Sequence, residues 1–189
     1  MKKGLLITLG VIVAVLVLIV LPIISSYNGL VSMQTNVEGK QAAIQTQLQR
    51  RADLIPNFVA TVKGYSDYEQ STLTAVTEAR ASVGQAKTAA EQSAASEQLD
   101  KAISVWVNAV TEAYPDLKAN TQYTALQDEL AGTENRIAVA RNDYNTAAQQ
   151  YNTAIRRFPK NLIAGIFGFE KADYFQAASG TEQAPTVSF

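Results

Sequence analysis

Two arginines and two carboxylates are the residues of this chain whose types and spacing could support chemistry. Arg51 lies in the stretch QLQRRADLIPNFVATVKGY and shares the helical phase of the apolar residues around it. Arg141 lies on the apolar phase of a later segment, and Asp53 and Glu134 are carboxylates that could face the two cations. Such a cluster could form an internal acid–base or ligand site, or a buried polar layer that sets helix register.

The chain lacks several of the side chains that enzymes commonly use in catalysis. The chain has no histidine and no cysteine, so the commonest general base, the thiolate nucleophile and any disulfide are missing. A carboxylate-bridged di-iron site needs Glu-x-x-His pairs, and neither a calcium-binding EF-hand loop nor a phosphate-binding glycine loop occurs. We therefore favour the structural polar layer, and we expect no cofactor, no metal and no enzymatic activity. An envelope enzyme is the third interpretation.

Pro56 raises a separate question, because it lies in the middle of the same helical stretch. A proline lacks the backbone N–H and pushes against the carbonyl one turn earlier, here that of Ala52. It could occupy the first turn of a new helix or kink a continuous one. The apolar residues keep their phase across Pro56, which favours the kink. Asn57, which we assign to the polar layer, or an arginine from a facing helix could donate to the freed carbonyl.

An apolar segment precedes all of these residues. Gly4 to Ile24 carries no charge, and at ~1.5 Å per residue it is long enough to cross the ~30 Å hydrocarbon core of a membrane. A signal peptide would have a shorter apolar core of ~7–15 residues and a cleavage site of small residues, which Ile23 and Ile24 disrupt. We predict an uncleaved single-pass anchor, residues 1–25.

The distribution of charge predicts the orientation and restricts the partners. Lys2 and Lys3 precede the apolar segment, and basic flanks stay on the cytoplasmic side. The chain is therefore expected in the cytoplasmic membrane, with its N-terminus inside and the rest on the extracytoplasmic side. Without these lysines, 14 basic residues face 17 acidic ones, a net charge of −3. This net charge argues against a nucleic-acid partner and against an anionic-lipid surface, because both require a basic face.

The rest of the chain has helical periodicity throughout. Apolar residues from Tyr27 to Tyr65 recur at steps of three, four or seven, and three more helices are predicted at about 67–87, 93–114 and 121–158. Ser66 and Glu69 have capping-box spacing before the second helix, and GQAKTAAEQSAASEQ is predicted as a loop or a poorly packed helix end. This indicates an all-α fold, in which an N-terminal transmembrane helix precedes an antiparallel four-helix bundle, residues 26–158, with two long and two shorter helices.

An apolar segment and a loop-like tail, residues 159–189, follow the predicted bundle. Folded back, the segment would cap the bundle core; left exposed, it would serve self-association or membrane contact. Alternating helix directions would return it to the membrane side, where both roles are compatible. The residues that would make these contacts are Leu162, Ile163, Ile166, Phe167 and Phe169.

Five distinctive strings occur between residue 27 and about residue 175. They are QLQRRADLIPNFVATVKGY, TEAR (77–80), AYPDLKAN (113–120), GTENRIAVARNDYN (132–145) and FPKNLIAGIFGF (158–169). These strings and their order resemble the LemA family. The resemblance implies an N-terminal membrane anchor followed by a helical bundle. It supplies no enzymatic activity, and one branch of the family is linked with magnetosome membranes, to which nothing in this sequence assigns the chain.

These observations predict a membrane-anchored structural or scaffolding protein of the bacterial cell envelope. It would act by self-association as a homo-oligomer, or by recruiting another envelope protein. The alternative is an extracytoplasmic sensor or peptide-binding module that holds its ligand between helices.

Overall fold

Helices account for the regular secondary structure of this computed structural model, which describes residues 2–63 and 70–175. No strand occurs within those ranges, so the prediction of an all-α chain is confirmed. Three sequence predictions lie outside the described residues: the turn with Ser66 and Glu69, the apolar position Tyr65 and the tail beyond residue 175. The helices are α1 (Lys2–Lys63), α2 (Gln70–Gln85), α3 (Ala89–Ala113), a 3₁₀ helix (Pro115–Ala119), α4 (Thr121–Ala154) and α5 (Lys160–Phe167).

The helix α1 joins the apolar segment to the first predicted exported helix without a break. By length and composition it is the one helix among the described residues that could cross a membrane, and the large apolar side chains from Leu6 to Val20 are exposed. The helix also continues through Pro56, which is therefore not the start of a new helix. The helix is thus uninterrupted both after the apolar segment, at Ile24, and at Pro56, the two places where the sequence allowed a break.

Two of the described helix ends differ from the predicted ones by four residues, and each has a local cause. α3 begins at Ala89 rather than Ser93, because Thr88 and Glu91 form a capping box: the Thr88 hydroxyl accepts from the Glu91 N–H (3.2 Å), and the Glu91 carboxylate accepts from the Thr88 N–H (3.0 Å). α4 ends at Ala154 rather than Phe158. After Ala154 the backbone changes to i→i−3 bonds, from the Arg156 N–H to the Thr153 carbonyl and from the Arg157 N–H to the Ala154 carbonyl (both 3.3 Å). This tighter turn ends the α-helix ahead of Pro159.

The chain divides into two units, and α1 and α4 contribute residues to both. Within the described part, the first unit comprises residues 2–39 and 146–172, and the second comprises 40–63, 70–145 and 173–175. The first unit contains the apolar end of α1, the last turns of α4, and the whole of α5. The second contains α2, α3, the 3₁₀ helix and the remaining parts of α1 and α4.

The core of the first unit forms where α5 packs against α1 and α4. Leu30, Ala154, Ile163 and Ala164 are buried together, and Phe169 is among the partly buried residues that pack against them. The chain reverses after α5 at Gly168, whose positive φ of 71° suits a glycine. This reversal brings Phe169 back onto the core, as its N–H donates to the Ala164 carbonyl (3.0 Å).

The core of the second unit draws on four helices. Phe58 of α1 packs against Trp106 of α3 and Tyr123 of α4, with ring centroids 5.1 and 5.0 Å apart. The α2 helix adds Val76, among other buried residues. The apolar residues predicted to line the interior of α1 in this unit are buried: Ile44, Leu48, Ile55, Phe58 and Val62.

Candidate functional site

Arg51 lies at the centre of a polar cluster inside the second unit. Its side chain is 8% exposed, and its Nη1 pairs with Glu134 Oε2 of α4 and lies 2.5 Å from Asp100 Oδ1 of α3. One guanidinium thus links carboxylates from two other helices. Because two carboxylates neutralise it, this arginine has little charge left to offer a ligand.

Asp100 is the member of this cluster that sequence analysis missed, and its ionisation is perturbed. Burial raises the pKa of its carboxyl to about 6, even though the Arg51 guanidinium acts in the opposite direction. The negative charges of Glu134 and Glu97 also raise the pKa of Asp100, and the positive charge of Arg141 lowers it. The local pattern Gln92, Ser96, Asp100, at steps of four in QSAASEQLD, was the available signal. It places three polar residues on one face of α3.

Asp53 and Asn57 do not belong to the predicted polar layer, and this is a correction. Both are exposed; the Asp53 carboxylate accepts from Gln49 Nε2 (2.8 Å) and lies 3.6 Å from Arg80 Nη2. At ~100° of helix rotation per residue, positions two and six after Arg51 point well away from it. Arg141 lies at the edge of the cluster, with its guanidinium 5.9 Å from the centre of the Phe175 ring.

The carbonyl that Pro56 leaves without its helical donor has a partner on another helix. Arg80 of α2 donates from Nε to the Ala52 oxygen at 3.0 Å, and Ala52 is buried. Sequence analysis named Asn57 or an arginine of a facing helix as the donor. The structure shows the arginine, which is the last residue of the TEAR string.

Two asparagines of α4 hold the chain that follows α5, and sequence analysis missed both. In the first unit, Asn152 donates to the Ala172 carbonyl (2.8 Å) and accepts from its N–H (2.9 Å). In the second unit, Asn145 makes the same pair of bonds with Phe175, at 3.0 and 2.9 Å. We call these the asparagine clamps. The dipeptide Tyr-Asn, repeated at 144–145 and 151–152, was the signal in the sequence.

The clamp in the second unit has an aromatic partner. The Tyr144 hydroxyl donates to the Asp173 carbonyl (2.8 Å), and the Tyr144 ring meets the Phe175 ring edge to face at 5.0 Å. The clamps themselves bind main-chain N–H and C=O groups, which every residue type except proline can supply.

The apolar segment around α5 has a buried face and an exposed face. Ile163 is buried, and Phe169 is partly buried with its ring 5.6 Å from that of Tyr27. Phe167 also contacts the Tyr27 ring, at 4.8 Å, but remains 55% exposed. Leu162 and Ile166 are 58% and 77% exposed and lie one turn apart. We call this pair the α5 stripe.

The described residues contain no group of three or more carboxylate, histidine or cysteine side chains placed to hold a metal ion. The Arg51 cluster has only Asp100 and Glu134, which the guanidinium already pairs. What the geometry provides is therefore a set of packing, clamping and surface contacts.

Comparison with known proteins gives a family and several relatives. The family model described as LemA family matches residues 40–189. Magnetosome protein MamQ 2 of Paramagnetospirillum magneticum is 28% identical over 175 residues, covering 79% of this chain and 64% of the relative. Magnetosome protein MamQ of Magnetospirillum gryphiswaldense is 25% identical over 192 residues, covering 88% and 71%. Protein LemA of Metamycoplasma hominis is 24% identical over 151 residues, covering 80% and 69%. The chain thus spans less than two thirds of the length of MamQ 2.

Proposed function

Since the chain belongs to the LemA family, we propose that it is a membrane-anchored scaffolding protein of the bacterial cell envelope, without enzymatic activity. In this proposal residues 1–25 are the anchor, 26–158 form an antiparallel four-helix bundle and 159–189 are the contact segment. The apolar end of α1 and the similarity to two magnetosome proteins support an envelope membrane location. Self-association is the proposed mode of action, with recruitment of another envelope protein as its extension.

The orientation that this function requires has the N-terminus in the cytoplasm. Lys2 and Lys3 flank the apolar segment on its short side, and positive flanks are retained inside. We expect a C-terminal alkaline phosphatase fusion to be active in cells, and the matching green-fluorescent fusion to be dark. The opposite pattern would contradict the orientation and place the helical units in the cytoplasm.

The α5 stripe is the observation that carries self-association. Leu162 and Ile166 are exposed beside a buried face that already fixes α5 to α1 and α4, so the stripe is presented on a supported helix. A second copy carries the same stripe, and anchoring confines both copies to the membrane plane. Confinement raises the effective concentration, so a small apolar contact can hold copies together.

The test is the particle size of the full chain in detergent. Leu162→Ser together with Ile166→Ser should reduce the oligomer to the monomer in light-scattering or ultracentrifugation measurements. Helical content and thermal unfolding should stay nearly unchanged, because both side chains are exposed in the folded chain. An unchanged oligomer would contradict the proposal and leave membrane contact as the role of the stripe.

Two control variants separate loss of contact from loss of folding. Val105→Ser with Val139→Ser removes two comparably exposed side chains from the second unit and should leave the particle size unchanged. Ile163→Ser lies on the buried face of α5 and should lower the melting temperature of the first unit. Phe167 and Phe169 are poor test positions, because both contact Tyr27.

The asparagine clamps favour a second candidate, a peptide-binding helical module. Asn145 and Asn152 already pair with the backbone of Phe175 and Ala172, and these contacts support binding of a peptide main chain along α4. A foreign peptide would have to displace these residues of the same chain. This alternative therefore requires an exchange of one bound segment for another.

A further inference from the structure

A groove of about 500 Å³ in the first unit combines apolar and cationic side chains. Ser26 and Met33 of α1 line one part of it, and Arg157, Phe158 and Lys160, which follow α4, line another. Ser26 lies two residues after Ile24, where the apolar segment ends. With that segment in a bilayer, the groove lies at the level of the lipid headgroups, which flank the ~30 Å hydrocarbon core.

Two cations that line this groove, and Arg156 next to them in the chain, have no ion-paired carboxylate in the described part of the chain. Arg156, Arg157 and Lys160 have no carboxylate within ion-pairing distance among residues 2–63 and 70–175. Elsewhere in the described chain, six cations pair with carboxylates: Lys40, Arg50, Arg51, Arg80, Lys101 and Arg136. The basic groups beside the end of the apolar segment are therefore free to bind an anion.

The side-chain ammonium of Lys160 lies close to the backbone of α1 at Gly29. Its Nζ lies 3.8 Å from the point where a β-carbon at Gly29 would be, one turn after Ser26. Residues 25–39 and 146–172 together hold four basic and two acidic residues, although the chain as a whole has a net charge of −1. Positive charge is thus concentrated at this end of the first unit.

From these contacts we propose that the groove binds the phosphate of an anionic phospholipid. The lipid comes from the leaflet that the C-terminal end of the apolar segment reaches. The Arg157 guanidinium and the Lys160 ammonium bind the phosphate oxygens, and the exposed Phe158 side chain contacts the upper part of the acyl chains. This inference is independent of self-association, because the groove lining does not include Leu162 or Ile166.

The experiment uses the full chain in nanodiscs made from equal amounts of phosphatidylcholine and phosphatidylglycerol. Native mass spectrometry after release from the disc measures which lipid stays bound. We expect phosphatidylglycerol to be enriched over phosphatidylcholine by roughly 25-fold, since each of the two basic groups adds about a fivefold preference near an anionic surface. Arg157→Gln with Lys160→Gln should bring the bound ratio close to that of the bilayer.

A matched control and a competitor make the result specific. Arg50→Gln with Lys101→Gln removes two exposed, paired cations of the second unit and should keep the enrichment. Circular dichroism should give the same helical content for both double variants. No enrichment in the unchanged chain, or full enrichment in the Arg157/Lys160 variant, would overturn the proposal. Displacement of the lipid by millimolar inorganic phosphate would also overturn it, because the groove would then be a site for free anions.

Discussion

Arg51→Ala should lower the free energy of unfolding by about 2–3 kcal/mol. This is less than the ~3–5 kcal/mol for a fully buried ion pair, because Asp100 and Glu134 are 31% and 43% exposed and water can solvate them. The variant leaves Asp100 and Glu134 without the cation that links them. Urea unfolding of the detergent-solubilised chain can measure the loss. Trp106, the only tryptophan, is buried against Phe58 in the same unit and reports unfolding by fluorescence.

The neighbouring arginine provides the matched control. Arg50 pairs with Glu129 of α4 but is 57% exposed, so Arg50→Ala should cost less than about 1 kcal/mol. Arg51→Met keeps much of the side-chain volume but also leaves both carboxylates unpaired, so alone it should destabilise the chain. Combined with Asp100→Asn and Glu134→Gln, it should recover most of the stability. A cost of under 1 kcal/mol for Arg51→Ala would show that the cluster does not hold the helices together.

Asp100 gives the same experiment a pH dependence with a definite sign. The pKa of Asp100 in the folded chain, about 6, lies above the ordinary aspartate value of 3.8, so the folded chain takes up the proton first as the pH falls. Protonation of Asp100 therefore favours the folded state between pH 7 and pH 5. In Arg51→Ala the opposing effect of the guanidinium is gone, which raises the pKa further. The stability difference between Arg51→Ala and the unchanged chain should therefore become smaller as the pH falls from 7 to 5. A difference that grows as the pH falls would contradict a raised pKa for Asp100.

Sequence periodicity predicted the elements well because it records which face of each helix is buried. The apolar residues of α1 at 44, 48, 55, 58 and 62 are all in the core, and α4 starts at the predicted Thr121. A spacing of three or four in one segment is sufficient to identify such a face. The start of α3 was missed because Thr88 and Glu91 lie in a stretch of small polar residues without an apolar pattern.

The contacts between helices were harder to predict, because one sequence does not show which residues of different helices meet. Arg51 and Glu134 were assigned to one layer, but Asp100 lies on a third helix whose register the sequence left open. The asparagine clamps were missed for a similar reason. Their partners are main-chain atoms of Ala172 and Phe175, and any residue type could supply those atoms.

The contact between Arg80 and the carbonyl beside Pro56 gives the second large expected effect. Arg80→Ala should lower the free energy of unfolding by about 1–3 kcal/mol, because the buried Ala52 oxygen loses its donor. Pro56→Ala supplies an N–H that can donate to the same oxygen, as in an ordinary helix. In the Pro56→Ala background, removing Arg80 should therefore cost much less.

A double-mutant cycle over Pro56 and Arg80, followed by Trp106 fluorescence in urea, measures this coupling. Asp53→Ala serves as the control, because Arg80 also lies 3.6 Å from the exposed Asp53 carboxylate and that pair should contribute little. Additive losses, within about 0.5 kcal/mol, would show that the proline and the arginine act separately. Coupling would explain why a helix breaker lies in the middle of α1. The proline frees a buried acceptor, an arginine of α2 satisfies it, and the bond holds α2 in register against α1.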